Sequence, residues 1–340
     1  MTAVYSAAHF LVDFACAYLM FRYVKDSRAR PDALLVYNFC AFALQMPFGV
    51  LTDMSGNGHA YSAAGCILVG ASALLGNFPL ALSAVAGTGN ALFHIGGGHD
   101  VLLNSEGSAG RLGVFVSPGA FGLFLGGLIS GNAALKIPVI AAMAIAATGI
   151  MHFCPNVQVS ADNISVKASA GSDAPKRNIA GGKAPLLALA LLFTAVCLRS
   201  YGGFLFSFGW KSGAWSWIFA LSVVFGKTLG GFIYDRVGGV KASAFTLTAG
   251  ALMFMFSDFA PLGCTAVLLF NMSMPLTLRA AADILPRRQG FSFGLLTFAL
   301  FIGFLPTWLG LPSPGANWVY AALCLVTLAL ILPVFVRKRP

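Results

Sequence analysis

Of the 340 residues, 58% are apolar and only 9% are charged, against roughly 25% charged in soluble domains; a soluble globular protein is excluded, and the chain is an integral membrane protein. Lys and Arg number 21 against 11 Asp and Glu, an excess that on a soluble chain would point to nucleic acid; basic loops on the cytoplasmic side of a membrane account for it here, and no nucleic-acid partner is expected. The seven cysteines, Cys16, Cys40, Cys66, Cys154, Cys197, Cys264 and Cys324, stand singly in apolar segments without CxxC spacing, so neither a disulfide framework nor a zinc site is indicated.

The first apolar segment starts within a few residues of Met1, without a basic leader or a small-residue cleavage site, and reads as an uncleaved helix. Runs long enough to cross a bilayer at about 20 residues each fall at 3–24, 33–52, 61–77, 79–98, 112–131 and 134–154. A second set of six falls at 185–207, 214–234, 241–259, 262–283, 290–310 and 316–336. Between the sets, residues 155–184 are rich in Ser, Ala, Gly, Lys and Asp, show no periodicity and are too polar to enter a membrane; they read as a linker. The expected organisation is an N-terminal six-helix half (1–154), a cytoplasmic linker (155–184) and a C-terminal six-helix half (185–340). The other loops are short, so successive helices are antiparallel neighbours.

With the N-terminus inside, thirteen basic residues fall on inside segments and six on outside segments, which predicts cytoplasmic N- and C-termini and a bacterial cytoplasmic membrane as the location. The first outside loop is an exception: Arg22, Lys25, Arg28 and Arg30 face only Asp26 and Asp32. It is either a local exception outvoted elsewhere or an electrostatic funnel for anions.

A short pattern recurs at the end of the second segment of each half. Gly49, Asp53 and Gly56 stand at the same spacing as Gly231, Asp235 and Gly238, 182 residues further on, which reads as a duplication. The first Gly lets a neighbouring helix approach, the Asp ends the apolar run, and the last Gly permits positive φ. The pattern resembles the loop that follows the second helix of each half in the major facilitator superfamily; the second copy carries Arg236 where the first has Met54. That resemblance implies an all-α fold of twelve transmembrane helices in two halves, related by an axis along the membrane normal.

Ionisable groups inside spans are costly and mark function by default. They are His9 and Asp13 in the first segment, His94 in the fourth, Arg199 in the seventh and Lys227 in the eighth. His9 and Asp13 are spaced i, i+4, as are Asn90 and His94, so each pair shares a helix face. Since the two helices run oppositely, Asp13 is level with Asn90, and His9 with His94. The resemblance implies that the first and fourth helices line a central cavity, which would bring the four together. Burial brings carboxyl and imidazole groups toward the range in which protons exchange near neutral pH, so Asp13, His9 and His94 are the candidates for proton coupling; the bland alternative is mutual hydrogen bonding. A third reading is a metal site, for which His9, Asp13, His94, His99 and Asp100 are all acceptable ligands, although Gly96, Gly97 and Gly98 are expected to loosen the helix between His94 and His99.

The segment from Gly87 to His94, the Gly-rich run from Gly113 to Gly131 with Ser117-Pro118-Gly119, and the opening Ala8-His9-Phe10-Leu11-Val12-Asp13 look similar to the fosmidomycin-resistance-like branch of the superfamily. Where such proteins tend to have His-Pro, this chain has His94-Ile95-Gly96, and drug efflux is not carried over. In the second half, Asn271 follows Asn90 by 181 residues in the tenth segment. Arg199, a fixed planar cation, wants a carboxylate, a phosphate or a substrate anion, and Lys227 is either a substrate ligand or snorkels to the interface. Substrate contacts are therefore expected from Arg199, Asn90, Asn271 and Lys227. His9-x3-Asp13 also matches a soluble acyltransferase motif, but it lies in a membrane helix with no second catalytic element; no enzyme and no cofactor are expected. The expectation is a monomeric secondary active transporter that moves a small organic anion or zwitterion by proton-coupled alternating access. The alternatives are a divalent metal transporter and a sensor or scaffold with the same spans.

Overall fold

The computed structural model describes residues 1–154, 183–312 and 315–336. Most of the linker expected at 155–184, and the basic tail Arg337, Lys338 and Arg339, lie outside the described residues. All described secondary structure is helical, as it must be where no water is present to take up backbone N–H and C=O groups. Ten stretches are long and apolar enough to cross a membrane. One of them, Ala214–Phe254, is 41 residues long and is broken at Gly238 (φ 78°, ψ 163°), so it makes two spans. A further helix, Pro79–Asn104, has 26 residues and is kept less apolar by Asn90, His94, His99 and Asp100.

Twelve helices result among the described residues: α1 (Thr2–Val24), α2 (Arg30–Ser55) and α3 (Gly58–Leu75); α4 (Pro79–Asn104); α5 (Ala109–Leu128) and α6 (Ala133–Phe153); α7 (Lys183–Leu205); α8 (214–237) and α9 (239–254); α10 (Ala260–Ile284), α11 (Gln289–Trp308) and α12 (Asn317–Val336). The first six and last six pack by one plan. α1 lies on α5 as α7 lies on α11; α3 meets α4 and α6 as α9 meets α10 and α12. The two sets meet along α2–α11 and α5–α8.

One expectation is corrected. The glycines 96–98 do not loosen α4, which runs unbroken to Asn104. Their missing side chains are used for contact instead: Gly96 lies against Gly58 and Ser62 of α3, Gly97 against Tyr5 and Phe115, and Gly98 against Phe293 of α11. In a bilayer, where helix association relies on close packing, that contact outweighs the intrinsic helix cost of Gly.

Two irregularities shape the middle of the bundle. α2 widens to a π-helical turn at Phe39–Ala43, just before Gln45; such turns re-aim side chains. In α5, Pro118 has no N–H to offer the carbonyl of Val114. The Ser6 hydroxyl on α1 stands 3.0 Å from that carbonyl and 2.8 Å from the Thr2 carbonyl of its own helix, so its one proton is shared between them and α5 is held against α1 beside His9.

Candidate functional site

The polar residues of α1 and α4 meet. Asn90 Nδ2 donates to Asp13 Oδ1 at 3.1 Å, and His94 Nε2 lies 2.8 Å from His9 Nε2. Asp13 Oδ2 is 3.3 Å from His9 Nε2, and Asp13 Oδ1 is 3.6 Å from His94 Nε2. Asp13 is 7% exposed and His9 4%. The cluster has room because α5 presents Gly119 to it, where any Cβ would overlap Asp13 and His9.

The tautomers follow from a backbone carbonyl, which can only accept. His94 Nδ1 is 2.8 Å from the Asn90 carbonyl, so Nδ1 carries a proton and donates. In neutral His94, Nε2 is then the acceptor and His9 Nε2 the donor. His9 Nδ1 is left bare, buried and without a partner. With both imidazoles neutral the cluster carries the single negative charge of Asp13, and it has an open position for one proton.

These residues form one wall of a cavity of about 460 Å³. Lys227 of α8 lines it from the other side, with Gln45 of α2, Thr297 of α11 and, toward one end, Phe21, Leu34 and Phe204. Among the described residues no hydrogen bond or contact ion pair reaches the Lys227 ammonium; the charges that act on it are those of Asp13 and Arg199. Arg199 is not among the lining residues; its guanidinium donates to Thr277 Oγ1 at 3.1 Å. Asn271 donates to the Val267 carbonyl of its own helix at 2.8 Å and faces a side cavity of about 380 Å³ that touches Lys227 and Lys211. The structure thus joins His9, Asp13, Asn90, His94 and Lys227 in one cavity and leaves Arg199 and Asn271 outside it.

His99 and Asp100 are elsewhere. Tyr5 donates to Asp100 Oδ2 at 2.5 Å, and His99 Nδ1 lies 2.9 Å from Asp100 Oδ1, at the end of the bundle that carries residue 2. Among the described residues, His9, Asp13 and His94 are the only group with metal-ligand spacing, their ligand atoms lying within 4.8 Å of one another.

The repeated glycine–aspartate pattern joins the two helix sets at that same end of the bundle. Asp53 accepts from the backbone N–H of Gly290 (2.7 Å) and Phe291 (2.8 Å), the first turn of α11. Asp235 accepts from Ser108 Oγ (2.6 Å) and the N–H of Ala109 (2.7 Å) and Gly110 (2.9 Å), the first turn of α5. Each carboxylate sits where the partial positive charge of a helix N-terminus is greatest. Gly49 and Gly231 let the backbones touch, the first against Gly290 and the second against Ala109. Gly56 (φ 65°) and Gly238 (φ 78°) take the left-handed conformation that ends each motif. Arg236 is exposed beside Asp235.

Reading ionisable groups alone missed Gln45. A polar residue in the second apolar segment was visible in the sequence, but its side chain is neutral and its depth depends on the π-helical turn before it. Tyr5 was missed for a different reason: its partner lies 95 residues away.

Two similarly packed six-helix sets around a central cavity define an all-α integral membrane protein of the major facilitator fold. No family model and no curated protein matches the sequence. Solved structures match over the whole chain. The E. coli fucose:proton symporter is 16% identical, with 100% of this chain and 98% of that one covered at a TM-score of 0.67. The human organic anion transporter TETRAN is 13% identical, covering 97% and 98% at 0.68. A bacterial homologue of the iron transporter ferroportin, outward-facing with soaked iron, is 16% identical, covering 100% of both chains at 0.59.

Proposed function

We propose that the protein is a secondary active transporter that moves a small organic anion or zwitterion by proton-coupled alternating access. Residues 1–154 and 185–340 are the two rocking halves, acting as a monomer in a bacterial cytoplasmic membrane with both termini cytoplasmic. The observation that carries this reading is an anionic, proton-accepting cluster, His9–Asp13–His94, set across one cavity from Lys227, a cation that makes no hydrogen bond among the described residues. A cation at that depth without a hydrogen-bonding partner is costly even with Asp13 across the cavity. A substrate anion on Lys227 supplies the missing partner, and a proton taken up by the cluster cancels the charge that the anion brings in. The latches at Asp53 and Asp235 hold one end shut and release it when the halves rock. Arg199 would contact substrate only after such a movement; Asn90 acts by holding Asp13, and Asn271 by lining the side cavity.

Divalent-cation transport is the second reading, favoured by the spacing of the three ligands and by the fold shared with a ferroportin homologue. The distances favour protons. Two imidazole nitrogens bound to one tetrahedral ion at about 2.0–2.1 Å stand about 3.3 Å apart, whereas His9 Nε2 and His94 Nε2 are 2.8 Å apart, a hydrogen-bond distance.

Asp13→Asn keeps the size and removes the titrating group. In proteoliposomes, accumulation driven by a pH gradient should vanish while counterflow exchange of the same solute survives. Undiminished accumulation by Asp13→Asn removes Asp13 from the mechanism.

A further inference from the structure

A second group of titratable residues sits at the end of the bundle that carries residue 2, apart from the cavity. His99 on α4 is 3% exposed. Its Nδ1 is 2.9 Å from Asp100 Oδ1, and Asp100 Oδ2 accepts from the hydroxyl of Tyr5 on α1. An ionised carboxylate can only accept, so Nδ1 carries the proton and Nε2 of the neutral ring is bare. That nitrogen stands 3.9 Å from Asp53 Oδ1, the same oxygen that accepts from the N–H of Gly290 at 2.7 Å. No hydrogen bond among the described residues joins this group to His9, Asp13 and His94; the ring of Phe115 packs against both, 4.9 Å from His9 and 6.3 Å from Tyr5.

The other charged groups at this end are turned elsewhere. Gly58 of α3 packs on the Asp100 carboxylate, with His59 next in the chain. Cys154, after α6, is turned to Tyr5. Arg111 on α5 is engaged with Glu106 and the Asn104 carbonyl, and Arg287 and Arg288, ahead of α11, are exposed. Among the described residues no carboxylate other than Asp53 and Asp100 pairs with His99.

We propose that His99 is a second proton-binding site, separate from His9–Asp13–His94, and that a proton there releases Asp53 from the N-terminus of α11. Asp53 and His99 both belong to the first helix set, and α11 to the second. With His99 neutral, Nε2 offers no proton, and the N–H groups of Gly290 and Phe291 are the donors that hold Asp53. With His99 charged, Nε2–H becomes a donor to the same oxygen, and it stays beside Asp53 whichever way the halves rock. The imidazolium meets the partial positive charge of the α11 N-terminus only while the halves are joined at this end, and that contact is repulsive. A bond between the sets is thus exchanged for one within a set, so the latch holds above the imidazole range and loosens below it. The other latch lacks this device: Asp235 pairs with no histidine among the described residues, and on α10, the counterpart of α4, the cation is Arg279, fixed in charge, bound to Asp283 and donating to Ser105 across the sets at 3.3 Å. The inference rests on the rocking of the two halves proposed above and adds a proton site that controls it.

Spin labels at Ala60→Cys and Lys241→Cys, exposed at this end in the two helix sets, read the release as a distance in the purified full-length protein without substrate. From about pH 8 to about pH 5, across the imidazole range, the labelled protein should gain a longer distance whose population rises about tenfold, the low end of what one hydrogen bond to a charged group is worth. His99→Asn keeps an N–H donor for Asp100 but takes up no proton; it should hold the pH 8 distribution at pH 5, and adding Asp53→Asn should open it, which shows that the variant is folded and mobile. Asp53→Asn alone should give the longer distance at both pH values, while Asp235→Asn should keep the pH response. A response that survives in His99→Asn, one that persists undiminished in Asp53→Asn, or no response in a protein that Asp53→Asn does open overturns the inference and leaves the rocking intact. A pair that moves in none of these proteins overturns the rocking as well.

Discussion

Replacing Asp53 by Asn tests whether the closed end is held by the two carboxylate latches. The carboxylate accepts two backbone N–H groups at 2.7 and 2.8 Å, and its side chain is 9% exposed, so water replaces little of what is lost. Hydrogen bonds to a charged acceptor contribute about 1.5–3 kcal/mol each, reinforced by the N-terminus of α11. Asn keeps one oxygen, now neutral, and turns an NH2 toward the second N–H. The net loss is about 2–3 kcal/mol, which at about 1.4 kcal/mol per factor of ten shifts the balance toward opening by roughly 30- to 150-fold. Asp235 is exposed, and its latch contributes less. Spin labels at Ala60→Cys and Lys241→Cys, exposed at this end in the two helix sets, read the result as a new, longer distance in Asp53→Asn that grows further in the double variant with Asp235→Asn. An unchanged distance distribution in the double variant would show that the latches do not hold this end closed.

Three other predictions concern separate parts of the bundle. Gly231→Val places a side chain against the Ala109 carbonyl and Gly110, an overpacking of about 1–3 kcal/mol, and should lengthen the same spin-pair distance; an unaltered distance would mean that this contact is not needed for closure. Tyr5→Phe removes the hydroxyl that donates to Asp100 and leaves a buried carboxylate oxygen short of a donor, so the purified protein should lose about 1–3 kcal/mol, read as a lower thermal unfolding midpoint; an equal midpoint refutes the bond. Zn²⁺ titrated into the wild-type protein and into His94→Ala should bind equally weakly, whereas a submicromolar site lost in His94→Ala would establish the metal reading.

Most of the fold was legible because the solvent of this chain is lipid. Every spanning segment must satisfy its own backbone, so about 20 apolar residues between polar breaks make a helix whatever its neighbours. Boundaries slipped where that rule weakens. α4 runs past its apolar part to Asn104 because its glycines find partners in α3, α5 and α11. The spacing of His9, Asp13, Asn90 and His94 placed them at matching depths, since helical periodicity and antiparallel order are local properties.

What the sequence determined by itself was the membrane class, the number of spans, the duplicated glycine–aspartate pattern and the shared faces of the buried polar residues; each depends on residues a few positions apart or on composition. What only the tertiary structure decided was which of those residues meet. Asp53 and Asp235, each read as ending an apolar run, cap helices that begin more than a hundred positions away. Lys227 reaches the cavity and Arg199 does not, although both are cations inside spans. Gln45 became notable through an unpartnered oxygen. Depth in the bilayer can be counted along a helix, but the rotation of that helix about its axis is set by the partners it packs against, and those are chosen by contacts distant in the chain.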